Sequence, residues 1–126
     1  MTDSIHRRKA AIFQALGHPT RIAILEQLES GERSAGALIQ QLSRGDQAAT
    51  QANVSQHLAV LRAQQIVKTR KTGNQVFYSI RDHVILEVLV LLRRYLQTHL
   101  NELLADLETA PEPASDPESK LEEAAR

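Results

Sequence analysis

Thr50–Ile80 reads TQANVSQHLAVLRAQQIVKTRKTGNQVFYSI. Its first half has one helical stripe: Val54, Leu58 and Leu61 recur at spacings of four and three, the signature of one buried helix face. Thr50 is a suitable N-cap, so the spacing predicts a helix from Gln51 to about Gln64. Gln51, Asn53, Ser55, Gln56 and Arg62 fall outside that stripe, on or beside the exposed face. Two short β segments follow, about Ile66–Lys71 and Gln75–Ile80, joined by Thr72-Gly73-Asn74, where glycine supplies the positive φ of a hairpin turn.

Working outward, Ser4 is placed to cap a first helix from about Ile5 to Leu16, with Ile5, Ile12, Phe13 and Leu16 on one face and Gly17 ending it. His18-Pro19-Thr20 opens a second helix with Ile22, Ala23, Ile24, Leu25 and Leu28 as its apolar set, closed by Ser30-Gly31. Ser34 is the expected N-cap of a third, with Leu38, Ile39 and Leu42 facing inward. The connection SRGDQAAT, residues 43–50, is longer than the three or four residues of a tight helix-turn-helix turn. Asp82 opens a helix running to about Leu107. Its apolar positions Ile85, Leu89, Leu92, Leu96, Leu103 and Leu107 are flanked by Val84, Val88, Leu91, Leu100 and Leu104, more than a small domain can bury. A partner helix is the expected cover; the alternative is a helix sunk in its own core. From Ala110 the composition turns acidic and proline-rich, so residues 1–109 are expected as one folded domain and 110–126 as a disordered tail.

Formal net charge is zero, yet unevenly spread. Residues 44–81 carry Arg44, Arg62, Lys68, Arg70, Lys71 and Arg81 against Asp46 alone, an excess of five. Such a run is by default a solvated surface; beside a helix with a short polar N-terminal face it becomes a polyanion-binding face. The absence of cysteine excludes disulfides, thiolate metal sites and thiol nucleophiles. No apolar leader is visible in MTDSIHRRKAAIF, and the longest apolar run, Val88–Leu92, is too short to span a bilayer, so a cytoplasmic protein with no membrane association is expected. No nucleotide-binding glycine loop or nucleophile–base arrangement suggests an enzyme.

Together these elements predict a mainly α (α+β) fold, a winged helix-turn-helix of about five helices with one β-hairpin wing and a long C-terminal helix, dimeric. Its expected partner is double-stranded DNA. Asn and Gln amides bond adenine bidentately, Ser reaches a base or a phosphate, and the first-turn N–H groups after Thr50 suit a phosphate. The expected contacts are Thr50, Gln51, Asn53, Ser55, Gln56, His57 and Arg62 from the helix, and Lys68, Arg70, Lys71, Asn74 and Gln75 from the wing. His57 either touches DNA or packs against the wing. Phe77 and Tyr78 are read as hairpin packing rather than base-stacking groups. The competing class is a winged-helix interaction module that dimerises or docks on another regulator without reading DNA.

The segments FQALGHPTRIAILEQL (Phe13–Leu28) and NVSQHLAVLRAQQIVKTRKTGNQVFYSI (Asn53–Ile80), with the long helix after them, resemble the ArsR/SmtB family of bacterial winged-helix repressors. The combination of HPTR, VSQHLxxLR and a Tyr near the hairpin end carries the likeness, which covers about residues 8–104. The resemblance implies a homodimer joined through the first and fifth helices, here Ile5, Ile12, Ile85, Leu89, Leu92, Leu96 and Leu103. It also implies repression, often of the regulator's own gene, from an imperfect inverted repeat. The family's thiolate site falls on Ser34–Leu42, which has no cysteine. Its zinc site on the fifth helix falls on Asp82, Val84, Tyr95 and Thr98, where Val and Thr are not zinc ligands, so Asp82 is read as a helix cap. His83 and His99 are sixteen residues apart, roughly 160° around one helix, and cannot meet at one ion within a chain. No metal site and no cofactor are expected; the inducer is left unidentified.

Overall fold

The computed structural model describes residues 2–44 and 51–109. Thr50, the rest of the 45–50 connection and the 110–126 tail lie outside them. In order along the chain come α1 (Thr2–Leu16), α2 (Pro19–Gln27), β1 (Arg33–Ser34), α3 (Ala35–Leu42), α4 (Gln51–Ala63), β2 (Val67–Thr72), β3 (Gln75–Ile80) and α5 (Val84–Thr109). This is the expected set of five helices and a hairpin, with β1 in addition. Packing divides the chain into two units, Met1–Leu89 and Val90–Arg126.

The first unit holds the core. Ile24, Leu25 and Leu28 of the α2 segment, Leu38 of α3, Val54, Leu58 and Leu61 of α4, and Val67 and Ile80 of the hairpin form one buried cluster with Ala15, Leu16 and Ile66. Burying each Leu- or Ile-sized side chain is worth roughly 1.5–3 kcal/mol. The helix starts follow local chemistry. The His18 Nδ1 accepts the Thr20 N–H at 3.1 Å, with Pro19 in the first turn of α2. The Ser34 hydroxyl accepts the Ala37 N–H at 3.1 Å. An Asp82 carboxylate oxygen accepts the Val84 N–H at 3.0 Å. The cap expected at Ser4 is not used: α1 begins at Thr2, with an Asp3–Arg7 pair of 3.2 Å one turn apart on its exposed face.

The sheet has the order β1-β3-β2, all antiparallel. Two residues, Arg33 and Ser34, pair with Tyr78 and Phe77 and so turn the hairpin into a three-stranded sheet. Neither periodicity nor composition marks so short a strand. In the hairpin Val67 faces Ile80 and Thr72 faces Gln75, and the turn places Gly73 at φ 61° as expected.

Helix α4 ends without glycine. Gln65 adopts φ 60°, the left-handed conformation. The Ile66 N–H donates to the Leu61 carbonyl at 3.0 Å and the Gln65 N–H to the Arg62 carbonyl at 2.9 Å, which is the Schellman pattern. Gln65 is exposed, so its side chain adds little packing to offset the steric cost of that backbone. Gln65→Gly is expected to raise unfolding stability by about 0.5–1 kcal/mol. Urea denaturation measures this, and a loss of stability would mean that the Gln65 side chain holds the turn.

In the second unit, Val90–Thr109 continues α5 as regular helix. Leu92, Leu96, Leu100, Leu103 and Leu107 are all exposed. At about 100° per residue they lie within a sector of roughly 80°. Among the described residues no helix is long and apolar enough to cross a membrane.

Candidate nucleic-acid interface

The buried stripe of α4 sets what the helix displays. With Val54, Leu58 and Leu61 in the core, the opposite side presents Ala52, Gln56, Ala59 and Ala63, flanked by Ser55 and by Asn53. Gln51, Asn53, Ser55, Gln56 and Arg62 are all exposed, as expected. Gln56 is the polar side chain nearest the middle of that face, among alanines that let a backbone or a base edge approach closely. An alanine methyl also suits the thymine methyl group.

His57 is half-buried, and its ring lies against the start of α2. Its ring lies 4.1 Å from the His18 ring, and its Nδ1 accepts a hydrogen bond from the Arg21 Nε at 3.2 Å. Arg21 also donates through Nη1 to the Gln14 and Ala15 carbonyls at 3.1 and 2.9 Å. The HPTR and SQH segments thus meet at one polar joint, where α1 ends, α2 begins and α4 passes. The physical reason is rotation: one residue beyond Gln56, His57 falls back toward the core stripe. Burial holds the His57 imidazole below its ordinary pKa of 6.5, and the neighbouring His18 and Arg21 charges act the same way. Nδ1 as an acceptor also requires the neutral ring.

The wing splits its cations between two faces. Successive residues of a strand point to opposite sides. Lys68, Arg70 and Thr72 share one side of β2, where Arg70 lies opposite Phe77 of β3. Lys71 shares the other with Val67 and Thr69. Lys68, Arg70, Lys71, Asn74 and Gln75 are all exposed. Arg70, however, is engaged: its Nη2 and Nε donate to the two Glu32 carboxylate oxygens at 2.7 and 3.1 Å, and its Nη1 to the Thr72 hydroxyl at 2.6 Å. Its guanidinium carbon sits 4.9 Å from the Phe77 ring centre. The hydrogen bond from Arg70 holds the Glu32 carboxyl below its usual range, and the charges of Arg70 and Lys68 act in the same direction. Sequence reading passed over Arg21 and Glu32, because each acts through a partner tens of residues away.

The residues expected at a dimer seam also divide. Ile12, Ile85 and Leu89 are half-buried against the first unit's own core. Ile5, Leu92, Leu96 and Leu103 are exposed. Ile12, Ile85 and Leu89 pack inward because α1 and the first turns of α5 complete that core. Among the described residues no three His, Asp or Glu side chains gather as a metal centre would need.

Comparison with known proteins bears on the same segments. A family model described as a helix-turn-helix domain matches residues 16–70. The HTH-type transcriptional regulator Rv0081 of Mycobacterium tuberculosis is 37% identical over 107 residues, covering 85% of this chain and 90% of that protein. Its crystal structure superposes with a TM-score of 0.67 over 79% of this chain and 96% of that one. The HTH-type transcriptional repressor SmtB of M. tuberculosis is 33% identical over 79 residues, 63% of this chain and 55% of that protein. The homodimeric winged helix-turn-helix domain Mb0332 of Mycobacterium bovis, a possible ArsR-family regulator, shares the fold at 22% identity, with a TM-score of 0.68 over 80% of this chain and 89% of that one.

Because folding disfavours protonated His57 while the unfolded chain takes the proton near pH 6.5, the His57 contribution to stability is present above that pH. It is lost as pH falls toward the lower folded-state value. The urea midpoint is expected to drop between pH 7.5 and pH 5.5, and to drop less in His57→Asn. An equal drop in both proteins would remove His57 from the acid response.

Proposed function

The chain belongs to the ArsR/SmtB family of winged helix-turn-helix, DNA-binding transcriptional regulators, and on that footing we propose that it is a cytoplasmic dimeric repressor of an inverted-repeat operator, its own promoter included. One observation carries the reading: burial of Val54, Leu58 and Leu61 leaves the polar start of α4 outward in the same unit as a basic hairpin. In this reading α4 enters the major groove. Gln56 reads a base edge, and Gln51, Asn53 and Ser55 contact bases or phosphates around it. Thr50 and the first-turn N–H groups bind a phosphate, and Arg62 is a peripheral phosphate contact. Lys68, Lys71, Asn74 and Gln75 follow the backbone, supplying affinity rather than sequence information. Neither a metal nor a thiol sensor is part of the proposal, and neither is a catalytic role.

Fluorescence anisotropy with duplex DNA from upstream of the chain's own gene, beside a scrambled duplex, tests this. The wild-type protein is expected to prefer the upstream duplex. Gln56→Ala should weaken that binding about 5- to 150-fold, the range of one lost bidentate base contact, and leave the scrambled duplex nearly unaffected. Lys68→Glu with Lys71→Glu should weaken both by roughly tenfold or more and flatten the salt dependence by about two phosphate contacts. Equal weak binding of both duplexes by the wild type would instead favour a module that docks on another protein.

The dimer is proposed to form through the exposed leucine stripe of α5, with a second copy supplying its cover and Ile5 of α1 as a further exposed contact. Leu89 packs in the core, so the discriminating positions lie beyond it. Leu96→Glu with Leu103→Glu is expected to yield monomers by sedimentation while the first unit stays folded. It should also weaken operator binding by unlinking the two half-sites. A dimeric double mutant would place the interface elsewhere.

A further inference from the structure

We propose that Glu32 acts as an internal stand-in for a DNA phosphate, holding Arg70 of the wing in the free protein and yielding it to the DNA backbone on binding. The inference rests on the DNA-binding reading of the wing and names a regulator of it that lies outside both α4 and the hairpin.

The geometry is that of a phosphate clamp already filled. Arg70 offers its Nε–Nη2 edge to both Glu32 oxygens, at 3.1 and 2.7 Å. That fork is how guanidinium recognises carboxylate and phosphate alike. To make the pair, Arg70 of β2 reaches over Phe77 of the central strand toward the β1 edge, where Glu32 immediately precedes Arg33. The strand itself is anchored: Arg33 Nε donates to the Gln27 carbonyl at 2.7 Å, and Arg33 pairs with Tyr78 in the sheet. Glu32 is therefore delivered to the wing by β1, the strand that joins the hairpin to the α2–α3 connection.

The bridge is also placed to be exchanged. The Arg70 and Glu32 side chains retain 56% and 34% of their exposure. An ion pair that open is worth little against a competing anion. A phosphate of a nearby duplex presents the same pair of acceptors with more surrounding negative charge. Phe77 under the guanidinium and Thr72 at its Nη1 hold the cation at the wing in either state. The Glu32 carboxylate thus lowers the wing's cost of being basic in the absence of DNA, and reduces its affinity for phosphates in general.

A short mixed-sequence duplex at low salt serves as the probe, since phosphate contacts need no operator. Affinity and its salt slope are measured for the wild type, Glu32→Gln, Arg70→Gln and the double variant. Glu32→Gln is expected to bind up to about fivefold more tightly. Arg70→Gln should flatten the slope of log K against log salt by about 0.9, the loss of one phosphate contact. The gain from Glu32→Gln should vanish in the Arg70→Gln background. If the gain persists there, Glu32 acts only as a distant negative charge, and the proposal is overturned. Weaker binding by Glu32→Gln would make the bridge a strut for the wing, and an unchanged slope in Arg70→Gln would mean that Arg70 never reaches the backbone; either result overturns it. Absence of any salt-sensitive binding by the wild type would instead reject the wing as a DNA-binding element, and this inference with it.

Discussion

Burial of Val54, Leu58 and Leu61 is the constraint on which the rest of the molecule depends. Those three side chains fix the rotation of α4 about its own axis. Turning the helix by one residue, about 100°, would drive His57 or Ser55 into the apolar cluster and lift a leucine into water. With the rotation fixed, Gln56 and its alanine neighbours must face outward. The same cluster takes in Val67 and Ile80, so the base of the hairpin is set by the core that sets the helix. A polar outward surface built this way is a by-product of packing: its residues need only tolerate exposure.

Two polar clasps add what the apolar core does not specify. At one, Arg21 links the last carbonyls of α1 to His57 of α4, with His18 both capping α2 and lying against the His57 ring. At the other, Arg70 ties the hairpin to Glu32 across Phe77. The first is half-buried and depends on a neutral imidazole, so it is a fixed joint at neutral pH. The second is open to solvent and made of groups that stay charged, so it can trade partners. The difference in burial, more than in bond number, separates a structural clasp from an exchangeable one.

The wing shows how strand geometry divides a basic segment that looks uniform along the chain. Lys68 and Arg70 lie on one side of β2 and Lys71 on the other, so the local excess of positive charge is not one patch. Only near the turn, beyond the core, are both sides open to a polyanion.

Much of this was legible in the residues themselves. The stripe of α4, the caps at Ser34 and Asp82, and the glycine of the hairpin turn are short-range features, encoded by spacing and by single side chains. Helix α5 was equally plain as a long run with surplus leucine. What the chain could not show locally are the features made by distant partners. The strand β1 exists only because β3 is there to pair with it. His57 belongs to a joint because α2 passes beside it, and Arg70 is occupied because a carboxylate 38 positions earlier reaches it. Even Gln65, which closes α4 where glycine would be expected, is held left-handed by the strand that must begin at once after it. Periodicity and capping are written in neighbours along the chain, so the sequence by itself determined the five helices, the hairpin and the buried stripe of α4; the short strand β1 and the pairing of polar groups depend on distances between elements, and those were decided only when the core had closed.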